Sequence, residues 1–145
     1  KVIITVSPIR YAKYGYHGSQ LSKATLLLAV DKLLGSQSIA DGETLAYFPA
    51  YEIVNDELRD YRFYAPDMLH PSQQAVDYIW ERFVETVFSD AAKSYLQEWK
   101  PIKEALAHRP FNPDSDAYRS FLARTLEQKC KLAKKYPWLS PQQNQ

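Results

Sequence analysis

Two short apolar runs set the strongest constraint on the fold. Val2-Ile3-Ile4-Thr5-Val6 is β-branched and nearly unbroken in its apolarity, the pattern of a strand covered on both faces, as in a parallel sheet. Leu45-Ala46-Tyr47-Phe48-Pro49 reads as a second strand. Between them, Leu26, Leu27, Val30, Leu33 and Leu34 fit a wide apolar face on a helix running from about Leu21 to Leu34, with Gly35 as its stop. A helix of that length serves as a crossover, so the strands are expected to run parallel in a βαβ unit. Two strands cover too little apolar surface to stand alone in water. The expectation is therefore the C-terminal portion of a larger α/β domain, its sheet completed by a preceding part of the same domain or by another copy.

The rest of the chain reads as loops and helices. Arg10 to Gln20 is a polar loop with Gly15 and Gly18 as turn residues. Tyr51-Glu52-Ile53-Val54 either prolongs the second strand or begins a helical turn, and Asp56 to Tyr64 has no clean period. Val76, Ile79, Trp80, Phe83, Val84, Val87 and Phe88 then recur at helical spacing. The register continues through Tyr95, Leu96 and Trp99, with Pro101 expected to kink or end the helix. Ile102 to Ala107 is a further helical piece, Arg109 to Asp114 a loop, and Asp116 to Tyr136 a last helix stopped by Pro137. Pro141 to Gln145 is expected to fray. The domain division expected is residues 1–90 as part of the α/β domain and 91–145 as a helical extension packed on it.

Composition narrows the function. A formal charge of +1, with basic residues scattered among acidic ones, sets up no field for nucleic acid or anionic membrane. Lys129, Lys131, Lys134 and Lys135 complement the dipole at a helix end. No apolar run reaches the roughly 18 residues of a membrane span. The lone Cys130 forms no internal disulfide, which fits a reducing compartment and a cytoplasmic location. Its helical position predicts a packed thiol. Neither metal-ligand spacing nor a glycine-rich phosphate loop is present, so neither metal nor organic cofactor is expected.

Chemistry concentrates in Ala65-Pro66-Asp67-Met68-Leu69-His70-Pro71-Ser72. A carboxylate three residues before an imidazole, in a loop leading to a helix, supplies two members of a nucleophilic triad. His70 would be the general base, and Asp67 would fix its tautomer and stabilise the imidazolium. The bland alternative is that His70 caps the helix and Asp67 stabilises the loop. Ser72 reads as a helix N-terminal residue rather than a nucleophile, and Ser7, before Pro8, as satisfying local backbone. Arg10 and His17, after the first strand, are the candidate substrate-binding residues, since loops at strand C-terminal ends border the ligand crevice of an open α/β sheet. His108 reads as structural. The stripe Trp80, Phe83, Phe88, Tyr95 and Trp99 reads as packing, with a partner groove as the minority reading.

The order of these features resembles the C-terminal half of the GSCFA domain, a family grouped with the SGNH/GDSL hydrolases. The resemblance is carried by Thr5-Val6-Ser7-Pro8, Leu21-Ser22-Lys23-Ala24, Tyr47-Phe48-Pro49-Ala50-Tyr51-Glu52, Glu57-Leu58-Arg59-Asp60-Tyr61 and Tyr64 to Ser72. It implies a flavodoxin-like parallel sheet, and an ester hydrolase or acyltransferase whose Asp-x-x-His motif is Asp67 and His70. The substrate would be a small acylated molecule, carbohydrate or lipid. The motifs that carry the nucleophile and oxyanion-hole donors, and the Gly-Ser-Cys-Phe-Ala stretch of the family name, are absent from these 145 residues. The fragment alone is then expected to be inactive. Two non-enzymatic alternatives are a helical protein-interaction module and a tyrosine-based carbohydrate binder.

Overall fold

The computed structural model describes residues 1–35 and 45–139; the expected fraying of Pro141 to Gln145 lies outside them. Contacts divide the chain into two compact units, Lys1–Thr86 and Val87–Gln145.

In the first unit, β1 (Val2–Ile4) and β2 (Leu45–Tyr47) pair in parallel, with Val2 opposite Leu45 and Ile4 opposite Tyr47. The Phe48 N–H adds a further bond to the Ile4 carbonyl at 2.8 Å. The next N–H on that side, that of Ala50, bonds instead to the Phe48 carbonyl at 2.9 Å as the chain turns helical, so the ladder stops after three residues instead of the five expected.

The expected flavodoxin-like, SGNH-type sheet domain is overturned. Two three-residue strands are the whole sheet among the described residues, and nearly everything else is helical or loop. The apolar run of β1 suggests a strand covered on both faces. In fact Val2 is 59% and Ile3 39% exposed. Apolarity reports what a strand can bury, and the described residues supply one neighbouring strand.

Helix α1 (Gly15–Gly35) begins at Gly15, well before the expected start near Leu21. Gly15 does the work of a turn, at φ +69°, but Gly18 lies inside the helix. A Cβ there would stand 2.9 Å from Tyr14 Cβ, so its role is close packing. The buried residues of α1 are the polar Ser19 and Lys23, whereas Leu26, Leu28 and Leu33 are exposed. Ser19 Oγ accepts from the Tyr11 N–H at 3.0 Å, and Lys23 Nζ donates to the Ser7 carbonyl at 2.6 Å. Burial lowers the Lys23 pKa.

After β2 the chain turns helical rather than prolonging the strand, as α2 (Ala50–Glu52) and a π-turn over Ile53–Leu58. Arg59 leaves that turn in the left-handed region, its N–H bonded to the Val54 carbonyl at 3.1 Å. Phe48, Ala50 and Ile53 form the core, with Leu58, Tyr78, Ile79 and Phe83 against them. Phe48 and Phe83 meet edge-to-face, centroids 4.9 Å apart. That contact docks α3 (Gln73–Val87) onto the segment after β2.

The expected run of helix to Trp99 is interrupted. Ser89 is an N-cap whose Oγ accepts from the Ala92 N–H at 3.3 Å, and α4 (Asp90–Ala107) starts after it. The periodicity hid a Ser-Asp start signal. Pro101 neither ends nor divides α4. It forfeits the bond to the Gln97 carbonyl, and the helix there is held by Ile102, buried with Leu132 and Tyr136 and flanked by Tyr95 and Trp99. Leu132 lies on α5 (Asp116–Lys135), capped by Ser115. Cys130, on the same helix, is exposed, which corrects the expectation of a packed thiol. No described helix is long and apolar enough to cross a membrane.

Candidate active site

The loop between the 3-10 turn Tyr61–Phe63 and α3 is closed by backbone bonds. Tyr64 and Pro71 form an antiparallel bridge. The Ala65 N–H donates to the His70 carbonyl at 2.8 Å, and the Ser72 N–H to the Phe63 carbonyl at 2.7 Å. Inside, the Met68 N–H reaches back to the Ala65 carbonyl at 2.9 Å, and Met68 takes a left-handed φ of +59°, which is strained for a side chain of this kind. Ser72 Oγ accepts from the Ala75 N–H at 3.3 Å, so Ser72 caps α3 as expected.

This frame brings Asp67 and His70 together. Asp67 Oδ1 accepts from the backbone N–H groups of Leu69 at 2.9 Å and His70 at 3.0 Å. Its other oxygen, Oδ2, lies 2.5 Å from His70 Nδ1. The two peptide N–H groups, ahead of the imidazole itself, lower the Asp67 carboxyl pKa from 3.8 to about 2. With an anion on Oδ2, the proton of a neutral imidazole sits on Nδ1 and the lone pair on Nε2. The side chains are 46% and 59% exposed. The carboxylate is thus held by three donors within its own loop.

No hydroxyl or thiol is hydrogen-bonded to His70 among the described residues. Ser7 Oγ accepts from the Ile9 N–H at 3.3 Å instead. A cleft of about 480 Å³ between Leu58, Phe63, Gln74, Asp77, Tyr78 and Glu81 does not include the dyad. No group of three or more potential ligands is placed to hold a metal among the described residues.

Arg10 is half-buried against the dyad loop. Its N–H donates to the Leu69 carbonyl at 3.0 Å and its Nη1 to the Met68 carbonyl at 3.4 Å. Its guanidinium lies 4.2 Å from the Tyr64 ring centroid, 5.7 Å from Tyr61 and 6.0 Å from Tyr16. His17 is exposed on the first turn of α1, next to Tyr16. His108, in the second unit, packs edge-on to Phe121 at 5.9 Å.

Residues 1–83 match the GSCFA family, and residues 99–144 match the C-terminal domain of GSCFA domain proteins. The first match alone spans more than half the chain. The chain belongs to the GSCFA family. No curated protein and no solved structure matches it. The dyad loop falls inside the matched region of the GSCFA chain. Sequence reasoning missed the tyrosine cluster around Arg10, and the network in which Tyr78 donates to Glu57 and Arg82 donates to both. The signal for the latter was present: Tyr78, Arg82 and Glu85 sit at i, i+4 and i+7 on one helix.

Proposed function

We propose that this GSCFA chain is the C-terminal part of an SGNH-type ester hydrolase or acyltransferase, and that Asp67 and His70 are the base half of its triad. The observation that carries the reading is the 2.5 Å Asp67–His70 contact, with the other carboxylate oxygen held by two peptide N–H groups. A serine or cysteine from outside these residues would give its proton to His70 Nε2 as it attacks the ester carbonyl. His70 would then return that proton to the leaving alkoxide, while Asp67 stabilises the transient imidazolium. Without that nucleophile and its oxyanion donors the 145 residues are inactive. The substrate class is an acylated carbohydrate, lipid or small molecule, met by Arg10 against the dyad loop and by His17 beside Tyr16. No metal or organic cofactor enters the reaction. The exposed β1 residues are covered by a further part of the same protein or by another copy. The lone cysteine supports a cytoplasmic setting.

The exposed leucines of α1 favour a second reading, a protein-interaction module without catalysis. Hydrolysis of a p-nitrophenyl ester series by the uninterrupted gene product, beside its His70→Ala variant, separates the two. Turnover that falls by about 10³-fold or more in the variant supports the hydrolase. Equal turnover in both proteins removes His70 from the chemistry.

A further inference from the structure

Each trans peptide carries its N–H and C=O on opposite sides of one rigid plane. The plane between Met68 and Leu69 presents its N–H to Asp67 Oδ1, at 2.9 Å, and its carbonyl to Arg10 Nη1, at 3.4 Å. The next plane, between Leu69 and His70, presents its N–H to the same Asp67 oxygen, at 3.0 Å, and its carbonyl to the Arg10 N–H, also at 3.0 Å. Arg10 thus holds the far end of both peptide groups that hold the carboxylate, the 68–69 plane through its side chain and the 69–70 plane through its main-chain N–H, which every residue but proline supplies.

The arrangement is under tension at Met68, whose φ of +59° is unfavourable for a residue with a Cβ. Relaxing that angle would rotate the 68–69 plane and draw its N–H off Asp67. The guanidinium is itself fixed, 4.2 Å over the ring of Tyr64, the residue bridged to Pro71 at the mouth of the loop. One side chain therefore touches the loop's mouth and its strained turn together.

We propose that Arg10 is a positioning residue, one whose side chain fixes the 68–69 peptide plane, and with it the strained Met68 turn, through which Asp67 is aimed at His70. The inference rests on the dyad reading above for its catalytic meaning, but its geometry is testable without turnover. Among the described residues, the titratable side chains in contact with the Arg10 guanidinium are Tyr16, Tyr61 and Tyr64.

The test is an NMR titration of the His70 imidazole and the Asp67 carboxyl in the 145-residue chain, in wild type, Arg10→Ala and Arg10→Lys. If Arg10 acted only as a nearby positive charge, its removal would raise both midpoints, and lysine would restore them. If Arg10 served only overall folding, neither midpoint would move in the folded variants. Positioning predicts opposite shifts. The Asp67 midpoint rises as its N–H donors drift, and the His70 midpoint falls as its carboxylate partner loosens. Arg10→Lys keeps the charge but cannot both stack on Tyr64 and reach the Met68 carbonyl, so it shifts His70 downward too. It also carries the test where Arg10→Ala does not fold. A His70 midpoint that stays or rises in both variants overturns the inference. A downward shift beside an intact gene product that hydrolyses no ester leaves Arg10 as the brace and removes the hydrolase reading instead.

Discussion

Phe48→Ala tests whether α3, the helix that follows the dyad loop, is anchored as described. Phe48 is 5% exposed and meets Phe83 of α3 edge-to-face. Truncating a buried phenylalanine costs about 3–5 kcal/mol, through lost transfer energy and the cavity left behind. Phe83 is half-buried, so its truncation should cost less, about 2–3 kcal/mol on the same scale. The ring pair contributes roughly 0.5–1.5 kcal/mol beyond area burial. The double variant should therefore fall short of the sum of the singles by about that amount. Urea titration followed by far-UV circular dichroism and tryptophan fluorescence gives the cycle; with Trp99 and Trp138 replaced by phenylalanine, Trp80, stacked on Phe83 at 5.9 Å, reports the helix locally. A 3–5 kcal/mol loss is most of the stability of a small domain, so Phe48→Leu with Phe83→Leu repeats the cycle in milder form. Additivity within about 0.3 kcal/mol, or a Phe48→Ala cost under about 1 kcal/mol, would refute the anchoring.

Other outcomes follow from the same geometry. The Asp67 carboxyl is depressed from 3.8 to about 2 in the folded chain, so its stabilising contribution is present above about pH 4 and lost as pH falls through about 2. The difference in urea midpoint between wild type and Asp67→Asn should accordingly shrink over that window; a constant difference would contradict the depressed value. Gly18→Ala should lower the thermal midpoint, although alanine is the better helix former by about 1 kcal/mol, because its Cβ meets Tyr14 Cβ at 2.9 Å; a raised midpoint would show that the contact yields freely. Cys130 is exposed, so a thiol reagent should titrate it in the native protein without denaturant. Reaction only after unfolding would restore the packed thiol.

The sequence made some of this legible and hid the rest for definable reasons. The parallel pairing of the two strands follows from the helix between them, and the cap at Ser72 from a hydroxyl residue just ahead of an apolar period. The Asp-x-x-His spacing identified the pair that the loop brings together, because three residues suffice for a turn whose own N–H groups bind the carboxylate. Sheet size was not legible, since β-branched residues in β1 look the same with one neighbour or two. The break at Ser89 was masked because a helical period can continue in phase across a cap. Position alone points Arg10 toward substrate, and that role is compatible with its place on the dyad loop; what no local pattern could show is its contacts to Met68 and Leu69, which join residues 58 apart or more. The apolar content of α1 suggested a buried face, yet Ser19 and Lys23 take the buried places because each has a backbone partner there.

The most direct test of the dyad is a double-variant cycle on ester turnover by the uninterrupted gene product, with His70→Ala, Asp67→Asn and both together. Groups that act as one unit are strongly non-additive in catalysis. A working dyad predicts a loss of roughly 10⁴-fold for Asp67→Asn, and a double variant no slower than His70→Ala alone. Losses that multiply, or full turnover in Asp67→Asn, would show that the carboxylate does not act through the imidazole.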